Sequence, residues 1–360
     1  MIKARPHIAA MASYALARVD IPDDVTPIFL NQNESAAQPS PRAIEAAANA
    51  ANLANLYCDC DWIELCRAIA DVHDLDTNAL LIGAGSMELI AAMIPAFAGP
   101  GDEVLSTLHG YAYFRTAAQI ADANYVQAPE VDLTVSVDAL LSAVTPRTRF
   151  VCVANPGNPT GTRIPRSALL RLRDELPDDI ILVIDEAYAE FADHLGERTF
   201  DLVGRGNTVV LRTFSKAYSL AGMRVGWGVF PPDIRREVHK LLIPNSVGTT
   251  SQAAATAAMR DQAYMRSLCE ATAERRDRFA AGCRDLGLGA PQSFTNFQLV
   301  VFDDPEAATR ADEQLRSVGV ILRPMGGYGL AHTLRATIGS DDDMMKTFNV
   351  LRTFMDEEAA

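Results

Sequence analysis

Short apolar runs separated by amphipathic stretches organise the first two thirds of the chain. The runs 79–82, 103–106, 124–127, 149–154, 180–184, 208–211 and 225–229 are four to six residues long. Runs of that length alternating with helical spacing predict an α/β fold: a doubly wound, mostly parallel sheet flanked by helices. Helices are predicted over 44–56, 62–72 and 87–97, the first with Ser40 as its cap and Pro41 in its first turn. Near Pro244 the texture changes. A long helical region over 251–286 precedes shorter strands at 298–302 and 333–338, which predicts a smaller α+β domain.

Residues before Ser40 are interrupted by Pro22, Pro27 and Pro39, so this stretch reads as an irregular arm. The expected division is an arm over 1–39, a large domain over 40–245 and a small domain over 246–360. A chain of 360 residues has room for a substantial core in such an arrangement.

Composition narrows the function classes. The chain is 49% hydrophobic and 22% charged, without an apolar run long enough for a membrane span. Its net charge of −14 argues against a nucleic-acid surface. Met1-Ile2-Lys3-Ala4-Arg5-Pro6 has no continuous apolar core, which predicts no secretory signal and a cytoplasmic protein. Cys58-Asp59-Cys60 has one intervening residue where zinc ribbons have two, so no metal site is expected, and the other cysteines read as reduced thiols.

Chemistry gathers at the ends of the predicted strands. Lys216 follows the run 208–211 at the kind of strand-to-helix turn where open α/β sheets place their ligands, and Arg224 stands eight residues later. A lysine amine there can condense with an aldehyde cofactor. Gly83-Ala84-Gly85-Ser86 opens the helix over 87–97 and can cradle a phosphate, although the same pattern serves an ordinary tight turn. Two Asn-Pro steps, at Asn155-Pro156 and Asn158-Pro159, hold the Asn158 amide at a strand tip. Asp185 ends an apolar strand, where a carboxylate is costly unless a cation meets it. A ligand with an aldehyde, a protonated ring nitrogen, a phenolic oxygen and a phosphate would engage Lys216, Asp185, Asn158 with Tyr188, and Arg224 with the glycine turn. Pyridoxal 5'-phosphate has those four groups.

Asn158-Pro159-Thr160-Gly161, Asp185-Glu186-Ala187-Tyr188, and Ser215-Lys216-Ala217 followed by Ala221-Gly222-Met223-Arg224 together resemble the fold-type I pyridoxal-phosphate-dependent aminotransferases of class I/II. The chain is most similar to their histidinol-phosphate aminotransferase branch. Further matches are Leu30-Asn31-Gln32-Asn33-Glu34-Ser35, Pro100-Gly101-Asp102-Glu103, and Leu322-Arg323-Pro324-Met325 with Leu334-Arg335-Ala336-Thr337. The resemblance covers nearly the whole chain. It implies Tyr111 as the aromatic stacked on the cofactor ring, and Gly85, Ser86, Met87, Thr213, Ser215 and Arg224 around its phosphate. It implies Tyr57 as a residue lent to the neighbouring subunit's cofactor, and hence a homodimer. On the substrate side it implies Arg335, Arg323, Asn33 and Tyr14.

Lys216, Asp185 and Tyr188 are the implied catalytic groups, Lys216 moving the proton from the α-carbon of the amino donor. The implied donor is histidinol phosphate or an aromatic amino acid, and the implied acceptor is 2-oxoglutarate. Departures from the family pattern fall in the lid, Asn33-Glu34-Ser35-Ala36-Ala37-Gln38-Pro39, in Met87 after Ser86, and in His109-Gly110 before Tyr111. They leave two other readings open: a decarboxylase of a phosphorylated amino acid, and a non-catalytic regulatory domain that binds the cofactor.

Overall fold

The structure, a computed structural model, describes residues 2–12, 21, 22 and 24–358. Among these, twelve strands run in chain order: β1 Ile28–Phe29, β2 Leu80–Gly83, β3 Glu103–Thr107, β4 Asn124–Ala128, β5 Thr148–Ala154, β6 Ile181–Asp185, β7 Thr208–Thr213, β8 Gly226–Val229, β9 Phe297–Val301, β10 Val320–Ile321, β11 Arg323–Met325 and β12 Leu330–Thr337. Seven form one sheet in the order β2-β8-β7-β6-β5-β3-β4. Neighbours pair in parallel except at β8, which is antiparallel to both β2 and β7. β2, β5, β6 and β7 therefore point the same way, and the segments leaving them emerge along one edge. Strands β3, β6 and β7 are buried over their whole length, which accounts for unbroken apolar runs in place of alternation. The large, mostly parallel sheet and its smaller α+β companion have the expected fold-type I architecture.

The predicted helices differ from the structure at two places. The helix beginning at Pro41 ends at Ala50 and continues only as a 3-10 turn to Leu53, short of the expected residue 56. Ala43, Ala47 and Ala50 supply its buried face, whereas Leu53 and Leu56 are exposed, so nothing packs a further turn. The region 251–286 is two helices, Thr249–Arg260 and Gln262–Asp285. Asp261 breaks them with ψ of 57°, and its carboxylate accepts a 2.5 Å hydrogen bond from Ser40 Oγ, the cap of the helix Pro41–Ala50. A tertiary contact thus overrides an uninterrupted helical pattern.

Two large buried clusters divide the interior, with a third of three residues, Leu299, Met325 and Leu330, under the β11–β12 turn. The larger runs from Ala43 to Cys269 and includes Phe297; the smaller joins Leu30 to residues from Phe279 to Phe354. Arm residue Leu30 belongs to the smaller because β1 pairs in parallel with β10 and β9, β11 and β12 form an antiparallel sheet beside them.

Behind β6 and β7, Arg212 is buried with two equally buried carboxylates. Its Nε donates to Glu186 at 2.9 Å, and its guanidinium lies 3.5 Å from Glu190 and 4.7 Å from the centre of the Phe200 ring. Thr199 Oγ1 also donates to Glu186. Burial pulls the Arg212 pKa down, but the surrounding carboxylates more than offset this and keep it charged. Removing the cation strands two carboxylates in the core. Arg212→Met should cost about 3–5 kcal/mol of stability, read as an earlier urea midpoint; an unchanged midpoint contradicts this role.

Candidate active site

Where the strand ends converge, a cavity of about 350 Å³ opens between the two units. Gly85, Ser86, Met87, Tyr111, Asn158, Asp185, Tyr188, Thr213, Ser215, Lys216 and Arg224 line it from the large sheet, and Arg323 and Arg335 from the small one. Asn33 reaches it from the arm. Two predicted residues are not among them. Tyr57 is 91% exposed and does not line the cavity, and Tyr14 lies outside the described residues.

An anion cradle forms at one end. Gly85 takes φ of +77°, and a Cβ on it would come within 2.6 Å of Arg224 Nη2. Gly226 on β8 has no room either, since a Cβ would meet Ser86 N at 2.1 Å. Bare glycine backbone thus lets the turn sit on the sheet and the guanidinium sit on the turn. Arg224 is itself left-handed, with φ of 52°. Its Nη1 donates to the Ala221 carbonyl at 2.9 Å and to Ser215 Oγ at 3.3 Å, while Thr213 Oγ1 donates to Ser215 Oγ at 3.0 Å. Free amides at the start of the helix Ser86–Phe97 complete a site suited to a phosphate.

The middle of the cavity holds a carboxyl and an amine. Asp185 ends β6, fully buried among the apolar strands, with the Ala187 backbone N–H donating to Oδ1 at 3.1 Å. Burial pushes its pKa up to about 7, and the neighbouring Glu186 charge adds to this. Lys216 Nζ donates to the carbonyls of Asn33 and Gln32 at 2.9 and 3.2 Å and stands 5.9 Å from the centre of the Tyr188 ring. Burial, then the Arg335 charge, pulls its pKa down to about 7; Glu34 opposes the shift and Arg224 adds to it. Among the described residues neither Asp185 nor Lys216 forms an ion pair, so both charges await a ligand.

Toward the small unit, Arg335 Nη1 donates to Asn158 Oδ1 at 2.6 Å and Nη2 to the Asn31 carbonyl at 3.0 Å. This fixes the Asn158 amide with Nδ2 as its remaining donor. Asn33 Nδ2 donates to the Tyr188 hydroxyl at 2.8 Å. Burial raises the pKa of that hydroxyl to about 12, so it stays protonated. Phe297 supports both neighbours, edge-on to Tyr188 at 5.3 Å and beneath the Arg335 guanidinium at 5.2 Å.

Several cavity and supporting residues carried no role in the sequence reading. Gln32, Glu34 and Tyr328 line the cavity. Glu88 accepts from Ser246 Oγ at 2.8 Å and from the Ala84 N–H, tying the glycine turn to the segment after the helix Pro232–His239. A carboxylate three residues past the Gly85 cap is a capping-box position, so Glu88 had a readable signal. Phe297 and Tyr328 had none, because their roles arise from packing between units.

The donor set fits pyridoxal 5'-phosphate: a cradle that a Cβ would fill, a buried carboxyl with no cation of its own, hydroxyl and amide donors, and an amine pushed toward neutrality. Residues 25–349 match the family described as aminotransferase class I and II. The chain is 38% identical over 355 residues to a histidinol-phosphate aminotransferase of Ruegeria pomeroyi, covering 99% of this chain and 98% of the relative. It is 43% identical over 333 residues to that of Paramagnetospirillum magneticum, covering 91% of each. The fold is similar, with a TM-score of 0.87 and 28% identity over 91% of each chain, to the crystal structure of the Sinorhizobium meliloti histidinol-phosphate aminotransferase in complex with pyridoxal-5'-phosphate. A cradle, a buried carboxyl and a near-neutral lysine on this fold, with relatives matched over almost their full length, make the chain a member of the class I and II aminotransferases, which work with pyridoxal 5'-phosphate.

Proposed function

We propose that this aminotransferase takes its amino group from histidinol phosphate, or a donor with the same terminal phosphate, and passes it to 2-oxoglutarate. One observation carries the choice of donor. In the β11–β12 ladder Arg323 stands directly opposite Arg335, and both line the cavity. Like charges opposed across two strands repel, and a dianionic phosphate can offset both, whereas an aromatic amino acid brings one carboxylate and a neutral ring. The names of the relatives favour the same donor.

In this reading Gly85, Ser86, Met87, Thr213, Ser215 and Arg224 hold the cofactor phosphate, and Tyr111 flanks the ring. Asn158 and Tyr188 donate to its phenolic oxygen. Asp185 presents its carboxylate to the ring nitrogen. Bound there, the cofactor supplies an electron sink for charge left on the donor's α-carbon. Lys216 Nζ accepts the proton removed from that carbon and returns it; a pKa near 7 lets one amine do both at neutral pH. Arg335, Arg323 and Asn33 hold the substrate, joined by Tyr14.

The same proposal includes a homodimer in the cytosol. Leu56, Tyr57, Leu241 and Ile243 are exposed apolar groups, and Cys58 Sγ, 3.6 Å from Asn245 Oδ1, brings the two segments together. That face suits a second copy, to whose cofactor phosphate Tyr57 would reach. All six cysteines are unpaired, which supports a reducing compartment. No helix among the described residues is long and apolar enough to cross a membrane. We place the boundary between the large and small units within the helix Gln262–Asp285 instead of at residue 245, because Cys269 packs in one cluster and Phe279 in the other.

A panel of amino donors with 2-oxoglutarate tests the donor. Histidinol phosphate should have the highest kcat/KM, and Arg323→Ala should lower that value about 10- to 100-fold, as for loss of a charge-assisted hydrogen bond. Faster transfer from phenylalanine or tyrosine would overturn the donor, and carbon dioxide release would point to the decarboxylase.

Asp185→Asn separates stability from chemistry. The native carboxyl holds its proton to about pH 7, while an unfolded one releases it near 3.8. The cofactor-free protein therefore loses stability as pH rises between those values. At pH 8, Asp185→Asn should raise the melting temperature of the cofactor-free protein by a few degrees and cut turnover of the loaded enzyme at least 100-fold. A lower melting temperature would contradict the assigned burial cost.

A further inference from the structure

The turn Gly326–Tyr328, which joins β11 to β12, contributes Tyr328 to the cavity wall. It is met from the large unit by His109, two residues before Tyr111 on the segment leaving β3. The imidazole Nδ1 of His109 stands 2.7 Å from the Tyr328 carbonyl. The same ring faces Gly329, where a Cβ would come 3.8 Å from His109 Cε1. A carbonyl only accepts, so Nδ1 carries the proton in this contact, and it does so in the neutral ring as well as the charged one.

The His109 side of the contact is firmly seated. Its backbone N–H donates to Glu130 Oε1 at 3.3 Å, and Gly110 lies so close to β3 that a Cβ would meet Ser106 Oγ at 2.5 Å. The other side is the turn Gly326-Gly327-Tyr328-Gly329, closed by the Gly329 N–H donating to the Gly326 carbonyl at 3.0 Å and carrying Tyr328 against Leu299, Met325 and Leu330. A seated imidazole on one wall and the turn's carbonyl on the other make the ring a clamp between the two units.

We propose that His109 is a positioning residue that sets the substrate end of the cavity by holding the β11–β12 turn, and with it Arg323, against the wall that bears Tyr111. The groups assigned to the cofactor phosphate, Gly85, Ser215 and Arg224, all belong to the large unit and do not depend on this bond. Arg323, on the strand that leads into the turn, does, whereas Arg335 is held besides by Asn158 and the Asn31 carbonyl. His109 thus acts on substrate recognition and leaves cofactor affinity alone. This deepens the reading of the arginine pair as the donor's anion site and rests on it.

The test compares wild type, His109→Ala and His109→Asn, the asparagine amide offering an N–H close to where Nδ1 stands. For the holoenzymes, KM for histidinol phosphate should rise about three- to tenfold in the alanine variant, as for one lost hydrogen bond. Turnover and the dissociation constant for cofactor should stay within about twofold, and asparagine should recover the lost affinity for donor. Amide hydrogen exchange in the cofactor-free proteins should quicken at residues 326–329 in the alanine variant and return toward wild type in the asparagine variant. Unchanged exchange at that turn, or a loss of cofactor affinity matching the loss of donor affinity, would overturn the clamp. If wild type does not respond to histidinol phosphate, the donor assignment fails, and exchange at residues 326–329 decides the clamp separately.

Discussion

An amine and a carboxyl buried at one edge of a parallel sheet, each without an ionic partner among the described residues, set the terms for the rest of this structure. Strands β6 and β7 run side by side in the same direction, so Asp185 and the segment carrying Lys216 leave the sheet on the same side. Removal from water penalises the charged form of each and moves the two pKa values toward one another, to about 7. A protein that buries such groups accepts a cost in stability. In the proposed reading the cost is offset when a ligand brings a cation to the carboxyl and an aldehyde to the amine.

The surrounding architecture serves that arrangement. Arg212, Glu186, Glu190 and the partly exposed Asp193 form an ionic group behind the same strands, so the residue next to Asp185 in sequence is satisfied in the core while Asp185 faces the cavity. Arm residues 31–38 bridge the units: Asn33 N–H donates to Thr337 Oγ1 at 2.9 Å and its side chain to Tyr188, while Ser219 Oγ donates to Ser35 Oγ at 2.7 Å. In the proposed reading, cofactor groups sit on the large sheet, whereas the arm and the small unit supply the substrate side. A common cofactor platform with a separately built recognition wall lets such a fold change donors without disturbing its chemistry.

Much of this was legible in the sequence because the signals are local. A strand end followed by Gly-x-Gly-Ser, by Asn-Pro, by Asp-Glu-Ala-Tyr or by Ser-Lys marks a site wherever parallel strands bring their ends together. What the sequence hid depends on contacts between distant segments. Asp261 breaks a helical pattern because Ser40, more than two hundred residues earlier, meets its carboxylate. Tyr328 and Phe297 join the site through packing between units, and His109, legible as a departure before Tyr111, has no role until the Tyr328 carbonyl is placed against it. The boundary proposed within the helix Gln262–Asp285 is hidden for the same reason, since an unbroken helix that enters one core and leaves in another has no signal at the crossing.

Competitive labelling of amines in the cofactor-free protein, followed across pH by mass spectrometry, tests the central claim most directly. The chain has four lysines, and Lys3, Lys240 and Lys346 serve as internal standards for Lys216. Burial beside Arg335 and Arg224 predicts a midpoint for Lys216 of about 7, against about 10.4 for an ordinary lysine. A Lys216 that titrates together with the other three would contradict the account.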